Sequence, residues 1–111
     1  MSNVTYYEFI LTDSYAAAAK GIVDDVLQRT IEQAILRNPM GGDVIPGAGV
    51  RKIRVAVSGK GKRGGARVIY FVMLEKGRIY LLDVYTKNVK TNITEDEKKE
   101  LAKLRKVLKG E

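Results

Sequence analysis

The sequence has no cysteine, no histidine and no tryptophan, and only two prolines and two phenylalanines in 111 residues. Without cysteine there is no disulfide framework, no thiolate nucleophile and no sulfur-ligated zinc. Without histidine the chain lacks the usual general base at neutral pH and the commonest metal ligand. Any acid–base chemistry falls to lysine, arginine, tyrosine or a carboxylate, and neither a metal nor another cofactor is expected. Long apolar runs are missing too, and none approaches the roughly 20 residues of a membrane span. The N-terminus has no basic stretch followed by an apolar one, so it does not read as a secretory signal. A soluble, cytoplasmic protein without a membrane partner is expected. The 45% hydrophobic content and the length suit one compact domain over residues 1–111.

Positive charge is plentiful and unevenly placed. The formal net charge is +7, made of −3 over residues 1–50 (three basic, six acidic) and +10 over residues 51–111 (seventeen basic, seven acidic). That asymmetry points to nucleic acid or another anionic surface as partner. The charge is densest over residues 51–67, which carry Arg51, Lys52, Arg54, Lys60, Lys62, Arg63 and Arg67 and no acid. The nearest carboxylates are Asp43 and Glu75.

Periodicity predicts a small α+β domain. Residues 6–11 read as a strand, and Thr12, Asp13 and Ser14 offer caps for a helix through the four alanines that follow Tyr15. Gly21 interrupts it. A second helix starts at Asp24 and Asp25, shows Val23, Leu27, Ile31, Ala34 and Ile35 at helical spacing, and ends before Pro39. Residues 41–49 read as a connector. Strands are predicted over 50–57, 68–74 and 79–85, joined by hairpins into an antiparallel sheet, with Gly77 in a left-handed turn. In the first of these, Ile53, Val55 and Val57 share one face and Lys52 and Arg54 the other. If the apolar face covers the helices, both cations project from an open face. Thr94 to Glu97 form a capping box for a last helix with an apolar stripe at Leu101, Leu104 and Leu108.

The glycine-rich stretch Gly59-Lys60-Gly61-Lys62-Arg63-Gly64 has the spelling G-x-G-x-x-G but not the context. A dinucleotide loop opens a helix, whereas here a strand follows. The kinase signatures are absent, and Gly65 stands where a phosphate-binding loop needs lysine. What remains is a cationic hairpin tip, either a solvated turn or a grip on phosphate. Arg67 opens an otherwise apolar strand, where it either pairs with Asp83 or Asp43 or clamps a phosphate with its guanidinium fork. Tyr70 and Tyr85 read as core or rim aromatics, with base stacking the alternative.

Several blocks together resemble the HigB branch of the RelE/ParE toxin superfamily. They are Asn38-Pro39, Gly42-Asp43-Val44-Ile45, residues 50–55 (VRKIRV), residues 59–70 (GKGKRGGARVIY), Tyr80-Leu81-Leu82 and Tyr85-Thr86-Lys87-Asn88. The resemblance runs from about Arg37 to the last helix, and residues 51–70 are its specific part. It implies a microbial-ribonuclease-like fold with N-terminal helices on one sheet face and a C-terminal helix. It also implies a metal-independent endoribonuclease that cleaves mRNA in the A site of the 70S ribosome, held in check by a HigA-like helix-turn-helix antitoxin. By position, Lys52, Arg54, Arg67, Lys87 and Asn88 fall on the catalytic surface, with Arg67 on the scissile phosphate. Arg51, Lys60, Lys62, Arg63, Tyr85 and Lys90 extend it as RNA contacts. Asn88 departs from the arginine of RelE, and Thr94 stands near a tyrosine implicated there in proton transfer. Lys52 with a lowered pKa becomes the candidate base. The competing readings are a gyrase-inhibiting toxin of the same superfamily and a noncatalytic RNA- or ribosome-binding module.

Overall fold

The computed structural model describes residues 6–57, 65–86 and 92–110. Strand β1 (Glu8–Leu11) leads straight into helix α1 (Asp13–Ala19). Thr12 makes that junction. Its Oγ1 accepts the Tyr15 N–H at 3.2 Å as a helix cap and donates to the Leu81 carbonyl at 2.8 Å, tying the helix start to the sheet. Gly21 (φ +76°) ends the segment, and Asp24 caps helix α2 (Asp25–Arg37) by accepting the Leu27 N–H at 2.8 Å. Both caps are where the sequence put them.

Four further strands follow: β2 (Asp43–Ile45), β3 (Val50–Val55), β4 (Ala66–Met73) and β5 (Arg78–Thr86), and then helix α3 (Glu95–Lys109). Strand order across the sheet is β1-β5-β4-β3-β2. Strands β3, β4 and β5 form the expected antiparallel meander, with Gly77 left-handed at φ +62°, and β2 extends it antiparallel to β3. The sheet as a whole is mixed, because β1 pairs parallel to β5. Hairpins fix the relative direction of consecutive strands only. Helices α1 and α2 carry the chain across the sheet, so β1 takes as neighbour the last strand of the meander. Strand β2 lies inside the stretch expected to be a bare connector.

Both faces of the sheet are covered. Tyr15, Leu27, Ile31 and Ile35 pack on Val55, Val68, Tyr70, Ile79 and Leu81 to form one core. On the other face, Leu101, Leu104 and Leu108 of α3 close over Ile45, Val50, Ile69, Phe71 and Leu82. The face expected to be open is therefore roofed by α3 over its middle. The capping box is present: Thr94 Oγ1 accepts the Glu97 N–H at 3.1 Å and Glu97 Oε1 accepts the Thr94 N–H at 3.0 Å. Arg105 of α3 lies over the Phe71 ring, 5.5 Å from its centroid, and Phe71 stacks on Tyr80 at 6.3 Å. Arg105 also needs Gly49 beneath it, since a Cβ there would lie 2.7 Å from Arg105 Nε.

The loop between α2 and β2 is pinned from the helical side. Tyr70 Oη donates to the Pro39 carbonyl at 2.9 Å and accepts the Gly42 N–H at 3.2 Å. Arg51 Nη1 donates to the carbonyls of Met40 at 2.7 Å and Gly42 at 2.8 Å. Burial raises the Tyr70 pKa above the ordinary tyrosine value, despite the Gly42 N–H and Arg51 pulling it down. Burial likewise pushes Tyr15 up to about 12.

Two outcomes are expected. Gly49 (φ +71°) and Gly47 (φ +82°) are both left-handed, but only Gly49 has Arg105 against it. Each change to alanine costs about 1–3 kcal/mol in urea unfolding, with Gly49→Ala the more damaging. For the tyrosines, the folded state holds the proton more tightly than the unfolded chain. Their contribution is thus complete below the ordinary tyrosine pKa of about 10 and is lost as pH rises towards the folded values. Tyr70→Phe flattens that alkaline slope and costs about 1–2 kcal/mol at neutral pH through the orphaned loop groups.

Candidate active site

The β3–β4 register sets the site. In an antiparallel pair, residues directly opposite share a face, with Cβ atoms about 5 Å apart. Arg54 pairs with Arg67, and Arg67 pairs in turn with Tyr85 of β5. One residue pair further along, Asp43, Lys52, Ile69 and Asp83 form the next row across the sheet. Both rows lie on the α3 side, where Ile69 and Tyr85 join the core under α3 while Asp43 and Arg54 are exposed.

Tyr85 reaches this row because of a bulge. Ile69 pairs with Asp83 and Tyr70 with Leu81, leaving Leu82 as the extra residue. Before the bulge, Tyr80 and Leu82 face α3; after it, Asp83 and Tyr85 do. A bulge re-aims side chains in this way without ending the strand.

Like charges placed directly opposite in a sheet destabilise it. Arg54 is exposed, but Arg67 is only 8% exposed, the one buried charged residue among those described. Among the described residues its guanidinium makes one hydrogen bond, to the Gly65 carbonyl at 3.3 Å, and no ion pair. The pairing with Asp83 or Asp43 considered from the sequence is not formed: Asp83 stands opposite Ile69 and Asp43 opposite Lys52. Gly65 holds both arginines close. A Cβ there would lie 3.2 Å from the Val55 carbonyl and 3.4 Å from Arg54 Cγ, so the bare backbone lets the Arg54 stem lie alongside. The result is two arginines in register, Arg67 buried and bonded to the Gly65 carbonyl and Arg54 exposed.

Lys52 is half-buried on the same face and, among the described residues, forms no ion pair. Arg51 is different. It lies one residue off in the period of two, faces the helices with Tyr70, and is engaged with the Met40 and Gly42 carbonyls. It positions the loop that carries Asp43 and does not join the cationic row. Tyr85 is in the row but only 3% exposed, its ring within the second core. Thr94 is committed to its capping box. Lys60, Lys62, Arg63, Lys87, Asn88 and Lys90 lie outside the described residues.

Two residues near the site escaped the sequence reading. Gly65 was given no role of its own at the site, and Lys98 was not singled out. Lys98 lies beside Lys52 at the edge of a depression between β2 and the start of α3. A larger concavity lies elsewhere, a groove of about 820 Å³ between α3 and β5. Its floor is Leu82, Leu101, Leu104 and Leu108, and Asp13, Asp83, Asp96, Glu97 and Glu100 line it. A polyanion is repelled there, so the cationic rows and not the larger groove suit phosphate. Among the described residues, no three carboxylates come together in a metal-binding cluster. No described helix is long and apolar enough to cross a membrane.

The fold has relatives. The whole structure superposes on that of the E. coli toxin RelE, an arginine double mutant in the free state, with a TM-score of 0.58. The match covers 92% of this chain and 98% of that one at 16% sequence identity, a likeness of fold. Residues 10–110 match the family described as the RelE toxin of the RelE/RelB toxin–antitoxin system. An α+β domain with a mixed five-stranded sheet, and a family match over nearly its full length, lead to one conclusion: the chain belongs to the RelE family of toxins.

Proposed function

We propose that this toxin is a ribosome-dependent mRNA endoribonuclease of the HigB type, acting on mRNA in the A site without a metal ion. The observation that carries this reading is the Arg54–Arg67 pair: two cations in register, one of them buried, with no described carboxylate to neutralise them. Such a pair costs free energy in the free protein and is relieved when a phosphate enters between the forks.

In this reading the ribose 2′-oxygen attacks the adjacent phosphorus. Its proton leaves to a base as the P–O5′ bond breaks, and the 5′-oxygen takes up a proton. The products are a 2′,3′-cyclic phosphate and a 5′-hydroxyl end. Negative charge accumulates on the non-bridging oxygens during the attack, and preorganised cations stabilise it more in the transition state than in the substrate. Arg67 holds the phosphate, Arg54 closes on it from the exposed side, and Lys52 serves as proton acceptor. Lys87 and Asn88 complete the catalytic surface. Lys60, Lys62, Arg63 and Lys90 contact the RNA backbone, with Tyr85 as the buried wall of the site. The ribosome orients the message, so this small constellation suffices. The antitoxin partner is a HigA-like helix-turn-helix protein.

The test is Arg67→Ala in a translating extract, with mRNA 5′ ends mapped in the presence and absence of ribosomes. Cleavage is expected to need ribosomes and to fall about 100-fold or more in the variant, with growth arrest lost and thermal unfolding little changed. Arg67→Lys keeps the charge but not the fork and is expected to recover only part of the rate. Full toxicity of Arg67→Ala at equal expression would remove Arg67 from the phosphate. Cleavage without ribosomes would remove the ribosome from the mechanism. Uncut mRNA together with a DNA-damage response would move the protein to the gyrase-inhibiting branch.

A further inference from the structure

Beside the cationic rows, the edge strand β2 and the start of α3 enclose a depression of about 240 Å³. Asp43, Pro46, Lys52, Asn92, Ile93 and Lys98 are among its lining residues. Its chemistry differs from that of the rest of the site. Lys52 and Lys98 bring positive charge, with Lys98 paired to Glu95 at 3.2 Å. Asp43 brings a carboxylate into a surface otherwise suited to phosphate. Asp43 is exposed, stands directly opposite Lys52, and among the described residues forms no ion pair and no side-chain hydrogen bond. Its backbone is held in place by the Arg51 and Tyr70 contacts to the adjoining loop.

A carboxylate repels phosphate, but it accepts hydrogen bonds from the N–H groups of a base. Pro46, Ile45 and Ile93 supply apolar wall, which suits a planar ring more than a sugar–phosphate chain. The spacing fits as well. Lys52 is two residues from Arg54 along β3, about 7 Å, and Asp43 lies one strand further out, the reach of a nucleotide next to a phosphate held by Arg54 and Arg67. Sequence-specific RNA recognition commonly works on splayed single-stranded bases read on their Watson–Crick edges.

We propose that this depression is a nucleobase subsite for the nucleotide flanking the scissile phosphate, with Asp43 selecting guanine, a proposal that rests on the RNA-cleaving function above. Only guanine presents two adjacent donors, N1–H and N2–H, to the two oxygens of one carboxylate. Adenine and cytosine each set one donor beside an acceptor, and uracil sets its N3–H between two carbonyls. Those acceptors meet the carboxylate unfavourably. Lys98 takes the flanking phosphate, and the apolar walls hold the ring.

The experiment has two arms, using the full chain and its Asp43→Asn variant. The exposed position and conserved size let the variant fold, checked by thermal melting. In the first arm, 5′ ends of mRNA cut in a translating extract are mapped and base frequencies beside the cut compared. Wild type is expected to favour guanine over adenine at one flanking position by about tenfold, and Asp43→Asn to bring that ratio within about twofold. In the second arm, guanosine 5′-monophosphate and adenosine 5′-monophosphate are titrated while the backbone amide shifts of Asp43, Ile93 and Lys98 are followed. The guanine nucleotide is expected to shift these amides at lower concentration, a difference that disappears in Asp43→Asn. If mRNA is cut but the variant keeps the wild-type base preference, the subsite is wrong while the ribonuclease reading stands. Guanine discrimination at Asp43 with no mRNA cut supports the subsite and overturns the ribonuclease reading. Equal response to both nucleotides with no cleavage overturns both.

Discussion

The pairing register of β3 on β4 is the constraint on which the rest depends. It sets Arg54 against Arg67 and, two residues along, Lys52 against Ile69. Side chains alternate along a strand, so a slip of one residue in β3 would carry Lys52 and Arg54 to the α1–α2 side and turn Ile53 and Val55 away from it. Burial prevents that slip. Val55, Val68 and Tyr70 are held under α1 and α2, while Val50 and Ile69 are held under α3. A sheet packed on both faces cannot exchange them without losing both cores. The charged rows are therefore stationed by apolar residues buried in the two cores.

Helix α3 sets where the cationic surface begins. It roofs the middle of the second face through Leu101, Leu104 and Leu108, with Arg105 laid across Phe71 and against Gly49. The covered part is dry and apolar. Past it, Arg54 reaches solvent, while Arg67 stays almost enclosed and bonded to the Gly65 carbonyl. A guanidinium anchored in this way loses little conformational freedom when it binds an anion, and that preorganisation is the useful property of a charge stabiliser. The start of the same helix brings Lys98 towards Lys52 and Asp43. One element thus seals the core and builds a wall of the site.

Arg51 and Arg54 show how two residues of one type in one strand come to different uses. The period of two already separates them, since Arg51 shares its side with Ile53 and Val55. Arg51 was expected among the RNA contacts, beside the candidate catalytic residues Lys52 and Arg54, although alternation puts it on the other side of the strand. Arg51 works from behind, binding the carbonyls of the loop that leads to Asp43. Tyr85 is the opposite case. Simple alternation from Tyr80 and Leu82 would turn it to the helix side, and the bulge at Leu82 brings it beside Arg67.

By itself the sequence determined the local structure: the caps at Thr12, Asp24 and Thr94, the turn at Gly77, the helical and strand periods, and the side of β3 on which Lys52 and Arg54 fall. These depend on contacts a few residues long, which composition and spacing encode directly. It also determined the sign of the charge in that half of the chain, because seventeen basic residues after residue 50 can be counted without a fold. Tertiary structure alone decided that β1 lies parallel to β5, that 43–45 pairs as an edge strand, and that α3 covers the face expected to be open. It also decided that Arg67 lies between Arg54 and Tyr85 rather than against a carboxylate. Each of these is a pairing between segments distant in the chain, chosen by which burial satisfies both faces of the sheet at once, and no local pattern records that choice.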